Sequence, residues 1–114
     1  MGKQSMDLMR GTLDLLILKI LSAGSLHGYE ISKRIREQTE SEIFVEEGAL
    51  YPALRRMEER NWLISEWGIS NNKREVKFYL LSSEGKRQLK EQSAHWDRYV
   101  RAMERVLKIA GSPA

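Results

Sequence analysis

The chain has no cysteine, only two histidines and two prolines, and its longest aliphatic run is the four residues Leu15 to Leu18. Without cysteine there is no disulfide staple, no thiol nucleophile and no thiolate-ligated metal. A run of four falls far short of the roughly 20 apolar residues of a membrane span. Asp7 and Arg10 interrupt the N-terminal apolar residues, so no signal segment forms there, and the expectation is a cytoplasmic chain with no membrane partner. His27 and His95 lack a histidine or carboxylate at ligand spacing, and no metal is expected. Neither a Ser-His-Asp set, a phosphate-binding loop nor a dinucleotide fingerprint is present, so the expectation is a non-enzyme without cofactor.

What the chain does have is the composition of one soluble globular unit: 114 residues, 41% hydrophobic and 31% charged, with net charge +3. The distribution of charge says more than its sum. Glu40, Glu42, Glu46 and Glu47 form an acidic cluster, and Lys73, Arg74 and Lys77 concentrate positive charge further on.

Leu13, Leu16, Ile17, Ile20 and Leu21 follow helical spacing until Ser22-Ala23-Gly24-Ser25 ends the pattern. Leu8, Leu15 and Leu18 are expected on a second edge of this helix, which would be buried twice. A second helix begins at His27-Gly28-Tyr29, with Ile31 and Ile35 inward and Lys33, Arg34 and Arg36 outward, and ends near Thr39. After a short linker, Glu40 to Phe44, the stretch Val45 to Asn61 holds Leu50, Leu54 and Met57 at i, i+4 and i+7. These face a core while Tyr51, Arg55 and Glu58 look outward. Pro52 leaves two options: a helix starting after Gly48, with the proline in its first turn, or one starting near Glu46 that bends.

Trp62 to Trp67 and Val76 to Leu81, separated by Gly-Ile-Ser-Asn-Asn-Lys-Arg, read as a β-hairpin with a basic tip. Ser82 is then expected to cap a last helix of about 28 residues, roughly 42 Å long. Its apolar and small residues, Leu89, Ser93, Trp96, Val100, Met103, Leu107 and Ala110, recur in alternating steps of four and three, a heptad seam that predicts a homodimer. The fold class is therefore mainly α with a small β-hairpin: a winged helix-turn-helix unit over residues 1–81 and a dimerisation helix over 82–114, together one compact body.

Lys33, Tyr51, Arg55 and Arg56 are candidates for DNA contact, Arg being the commonest partner of guanine in the major groove. Lys73, Arg74 and Lys77 are candidates for backbone phosphates. Glu46 and Glu47 repel phosphate; accepting from cytosine N4 and satisfying the helix N-terminus are both open roles for them. Trp96 is read as a core anchor or as one wall of a slot for a planar ligand, with Leu8 and Leu15 as further walls and Asp14 or Asp97 as polar partners.

Gly48-Ala49-Leu50-Tyr51-Pro52-Ala53-Leu54-Arg55-Arg56-Met57-Glu58, followed by Lys73-Arg74-Glu75-Val76-Lys77-Phe78-Tyr79-Leu80-Leu81, resembles the PadR family of transcriptional regulators. His27-Gly28-Tyr29-Glu30-Ile31 is similar to that family's second helix. The resemblance implies a winged-helix dimer of the small subfamily that represses transcription. It also implies relief of repression by a small aromatic or phenolic effector, with Trp96 in the place of a tryptophan paired across the dimer. The expected partner is a pseudo-palindromic double-stranded DNA operator. Two other readings stay open: a protein-interaction adaptor that keeps the fold without DNA, and an aromatic-ligand binder whose output is a partner protein.

Overall fold

The computed structural model describes residues 11–109. In chain order the elements are α1 (Thr12–Leu21), β1 (Leu26–His27), α2 (Gly28–Gln38), α3 (Glu47–Glu59), β2 (Leu63–Ile69), β3 (Glu75–Leu81) and α4 (Ser83–Leu107). Ile17, Leu18 and Leu21 of α1, Ile31 and Ile35 of α2, and Leu50, Ala53, Leu54 and Met57 of α3 meet in one core, closed by Leu63, Tyr79 and Leu81 from the hairpin. The helical spacing read from the sequence thus becomes three stripes turned toward one another. Leu18 departs from its expected place: it is fully buried in this core. Of the second edge, Leu15 is the described residue that turns toward α4, while Leu8 lies outside the described residues.

The sheet has three antiparallel strands in the order β1-β3-β2. The sequence reading held two of them. Leu26 and His27 pair with Tyr79 and Phe78, and a two-residue strand is too short to show a period. In β3 the inward residues are Tyr79 and Leu81, whose partners across the hairpin are Ser65 and Leu63. Lys77 precedes them on the same face, opposite Trp67.

Two local devices hold the helices in place. At the end of α2 the Thr39 hydroxyl donates to the Ile35 carbonyl at 2.8 Å and accepts from the Ile43 amide at 3.1 Å, turning the chain toward α3. Glu40 and Ser41 there take positive φ, 51° and 65°. α3 starts at Glu47, so of the two options for Pro52 the earlier start holds and the proline lies inside the helix. Its lost hydrogen bond would have gone to Gly48, close to the exposed N-terminal end.

α4 is fastened more tightly. Ser82 Oγ accepts from the Gly85 amide at 2.9 Å as the N-cap. The same hydroxyl donates toward the Asn61 carbonyl at 2.5 Å, and the Ser82 amide donates to the Trp62 carbonyl at 3.0 Å. Gly85 lies so close to this turn that an added Cβ would stand 2.1 Å from the Trp62 carbonyl oxygen. From Arg101 to Ile109 every residue of α4 and its C-cap is exposed. Ala110, the last residue of the expected seam, lies outside the described residues.

Gly85→Ala is expected to destabilise the fold by about 1–3 kcal/mol, because the obstacle is backbone that cannot rotate away. Ser82→Ala should cost about 1 kcal/mol as a lost cap. Urea unfolding of the two variants checks the order: Gly85→Ala must have the lower midpoint.

Candidate functional site

The exposed side of α3 carries Tyr51 in its N-terminal half and Arg55 just past its middle. Tyr51 and Arg55, one turn apart, are both exposed, while the buried stripe of the same helix anchors them from behind. Tyr51 is 41% exposed, and its ring rests on the first residue of α2. A Cβ at Gly28 would stand 2.5 Å from the Tyr51 hydroxyl oxygen, so the missing side chain is what lets the phenol settle at the α2–α3 crossing. Partial burial there raises the phenol above the ordinary tyrosine pKa, and the Glu47 carboxylate one turn earlier raises it further.

Tyr51 lines a groove of about 1040 Å³ between α2, the start of α3 and the hairpin. Lys33 and Arg34 enter from α2, Arg74 and Lys77 from the hairpin, and Tyr29 and Trp67 supply aromatic wall. Glu30, Glu37 and Glu47 are also among its walls, so the surface is mixed in charge with basic rims. Trp67 is 65% exposed and Tyr29 equally so. Neither Trp67 nor Arg34 stood among the candidates. The signal was there for Trp67, an indole one step from the hairpin turn, but nothing local says that this strand face continues past the core into a groove.

Of the candidates for DNA contact, Lys33, Tyr51, Arg74 and Lys77 are brought to the groove, Arg55 is exposed one turn after Tyr51 on α3, and Lys73 is exposed in the hairpin turn with φ of 60°. Arg56 goes elsewhere: its guanidinium binds Asp14 of α1 at 2.7 Å. Lys77 also has a partner, the Glu58 carboxylate at 3.3 Å, whose other oxygen accepts from the Ser65 hydroxyl at 2.5 Å. Glu58 is thus half-buried and bonded, where an outward orientation was expected. The Ser65 hydrogen bond, helped by Lys77 and opposed by burial, holds its carboxyl below the ordinary range.

A second cavity of about 540 Å³ lies where α1 meets α4. Leu15 and Trp96 both line it, as expected, together with Thr12, Gln92, His95 and Tyr99. Asp14 and Asp97 do not: the first is bound to Arg56 and the second is exposed beyond the walls. Along the expected seam, Leu89 packs on the chain's own core, Ser93, Trp96 and Val100 are half-buried, and Met103 and Leu107 are 43% and 73% exposed. Tyr99 and Val106 add exposed apolar surface on the same stretch of α4.

Comparison with known proteins assigns this architecture. The model of the family described as Transcriptional regulator PadR-like family matches residues 17–91, which run from α1 into α4. The chain belongs to the PadR-like family of transcriptional regulators. Solved structures agree with the assignment. A transcriptional regulator from Clostridium thermocellum superposes with a TM-score of 0.80 at 31% identity, over 87% of this chain and 96% of that one. A PadR family transcription regulator from Clostridium difficile gives 0.75 at 36% identity, over 85% and 99%. Bacillus subtilis PadR, solved in complex with operator DNA, gives 0.64 at 27% identity, over 71% of this chain and 46% of that longer one. As a PadR-like protein the chain is a transcriptional regulator and not an enzyme. Among the described residues no helix is long and apolar enough to cross a membrane.

Gly28→Ala is expected to push the Tyr51 ring out of its seat, since a side chain can move where backbone cannot. Tyrosine-labelled NMR titration checks it: in the unsubstituted protein the Tyr51 phenol ionises above the usual tyrosine range, and in Gly28→Ala its midpoint falls back toward that range. An unmoved midpoint would show that the ring does not depend on the glycine.

Proposed function

We propose that this PadR-like regulator is a cytoplasmic homodimeric repressor. The N-terminal half of α3 enters the major groove of each half of a pseudo-palindrome, and the β2–β3 hairpin lies along the flanking backbone. The observation that carries the reading is the groove with Tyr51 and basic rims at Lys33, Arg34 and Arg74, in a fold shared with a protein solved on operator DNA. Tyr51 and Arg55 are its readers of base edges, and Lys33, Lys73 and Arg74 its contacts to phosphate. Glu47, beside Tyr51, accepts from cytosine N4 or keeps the helix N-terminus satisfied.

The dimer rests on α4. Tyr99, Met103, Val106 and Leu107 are 43–73% exposed in the protomer, and a two-fold partner helix is the economical way to remove that apolar surface from water. With it, the cavity at Leu15, Trp96 and Tyr99 becomes an interfacial slot for a small aromatic or phenolic effector. An effector there relieves repression only by binding one spacing of the two reading heads better than another. The acidic run Glu40, Glu42, Glu46 and Glu47 favours a second reading, a protein-interaction adaptor. Salt dependence separates the two, because phosphate contacts make affinity fall steeply with salt.

Selection from a random duplex pool is expected to return a palindrome whose half-sites lie about one helical turn, roughly 10 base pairs, apart. No enrichment would remove the DNA reading. Sedimentation is expected to show twice the 13.3 kDa of the chain, and a chain carrying both Val106→Glu and Leu107→Glu should fall to the single mass and lose the palindrome. A wild-type particle of 13.3 kDa at micromolar concentration would sink the dimer. Planar aromatic dyes are expected to quench tryptophan fluorescence, and Trp96→Ala should abolish the effect. Quenching that persists in that variant would place the dye elsewhere.

A further inference from the structure

Seven cationic or aromatic side chains were candidates for DNA contact, and the structure divides the cations into two groups. Among the described residues no carboxylate pairs with Lys33, Arg55, Lys73 or Arg74. Arg56 and Lys77 each have one, and each pair joins α3 to a different neighbour. Arg56 Nη2 meets Oδ1 of Asp14 at 2.7 Å, which ties α3 to α1; the Asp14 side chain is only 15% exposed. Lys77 Nζ meets Oε1 of Glu58 at 3.3 Å, with both side chains about one third exposed, while Ser65 Oγ donates to Oε2. One carboxylate of α3 therefore holds β2 through Ser65 and β3 through Lys77. The Lys77 ammonium also sits 5.8 Å from the centroid of the Tyr79 ring, a core residue of β3.

We infer that Glu58 is the positioning residue that sets the angle of the hairpin to the reading helix, and that Lys77 and Arg56 are internal struts and not phosphate ligands. The inference rests on the DNA reading above. If Lys77 swung out to a phosphate, Glu58 would stay behind, half-buried and ionised, next to the negative charge of the nucleic acid. The ion pair lost cancels the ion pair made, and the unpaired carboxylate adds a penalty. Lys73 and Arg74 break nothing when they turn to a phosphate. Arg56 is in the position of Lys77 instead: its departure would strand the largely buried Asp14. With its C-terminal half braced on both sides, α3 presents Glu47, Tyr51 and Arg55 at a fixed tilt to whatever lies in the groove.

The salt dependence of binding tests this, because each phosphate contact contributes about 0.9 to the slope of log affinity against log salt, whereas a strut contributes none. Fluorescence anisotropy is measured across a potassium chloride series with two probes, the duplex recovered by selection and a mixed-sequence duplex. The proteins are the wild type, Arg74→Gln, Lys77→Gln, Arg56→Gln, Glu58→Gln and the double variant Glu58→Gln with Lys77→Gln. Arg74→Gln is expected to reduce the slope by about one for each protomer. Lys77→Gln, Arg56→Gln and Glu58→Gln should weaken binding to the selected duplex about tenfold, with the wild-type slope retained. The double variant should lose no more than either single one, because the pair acts as one unit. Binding to the mixed-sequence duplex, which needs charge but no set hairpin angle, should survive in all of them and shows that they are folded. Should Glu58→Gln fail to fold, the slope of Lys77→Gln decides alone. A Lys77→Gln slope that drops as far as that of Arg74→Gln overturns the strut assignment. A wild type with no salt-sensitive binding to either duplex overturns the DNA reading itself.

Discussion

Leu50, Ala53, Leu54 and Met57 leave water on one side of α3, and that one-sided burial is the constraint on which the remaining geometry depends. A helix held by a single apolar stripe has no freedom to roll, so the residues between stripe positions must point outward. Tyr51 and Arg55 are outward for that reason. Arg56 and Glu58 flank the stripe instead of opposing it, close enough to neighbouring elements to bond with them. One helix thereby carries an exposed face at Tyr51 and Arg55 and two ion pairs near its end.

Close approach at two glycines turns these elements into a single body. Gly28 admits the Tyr51 ring at the crossing of α2 and α3, and Gly85 lets the first turn of α4 lie against the Trp62 carbonyl. The second contact matters beyond stability. It fastens the long helix directly to the turn that follows α3, so α4 and α3 are joined through that one turn. α1 supplies another connection, since Leu15 and Thr12 face the cavity shared with Trp96 while Asp14 on the same helix holds Arg56. A shift of α1 against α4 therefore bears on α3 through one ion pair and a shared core.

Much of this was legible from residue order. The stripes of α1, α2 and α3, the hairpin, the Ser82 cap and the resemblance to PadR regulators depend on spacings within a few residues, where side-chain direction follows from helix and strand periodicity alone. Three features were not. β1 is two residues long, and its existence depends on β3 being alongside. Leu18 was assigned to the spare edge of α1, yet it is fully buried in the core that α1 shares with α2 and α3. Charge was the least legible of all: Arg56 and Lys77 look like Arg55 and Arg74 in a sequence, and only their distance to Asp14 and Glu58 tells a brace from an open cation.

Residue order by itself determined the four helices and the two hairpin strands, the core stripes of α2 and α3, and the family, because these are set by local periodicity and by short runs of residue types. Tertiary structure alone decided which cations are already neutralised, which carboxylate ties the hairpin to α3, and which walls meet around Trp96. Those are distances between residues far apart in the chain, 84 positions for Thr12 and Trp96, and no local pattern encodes a distance that exists only once the core has closed.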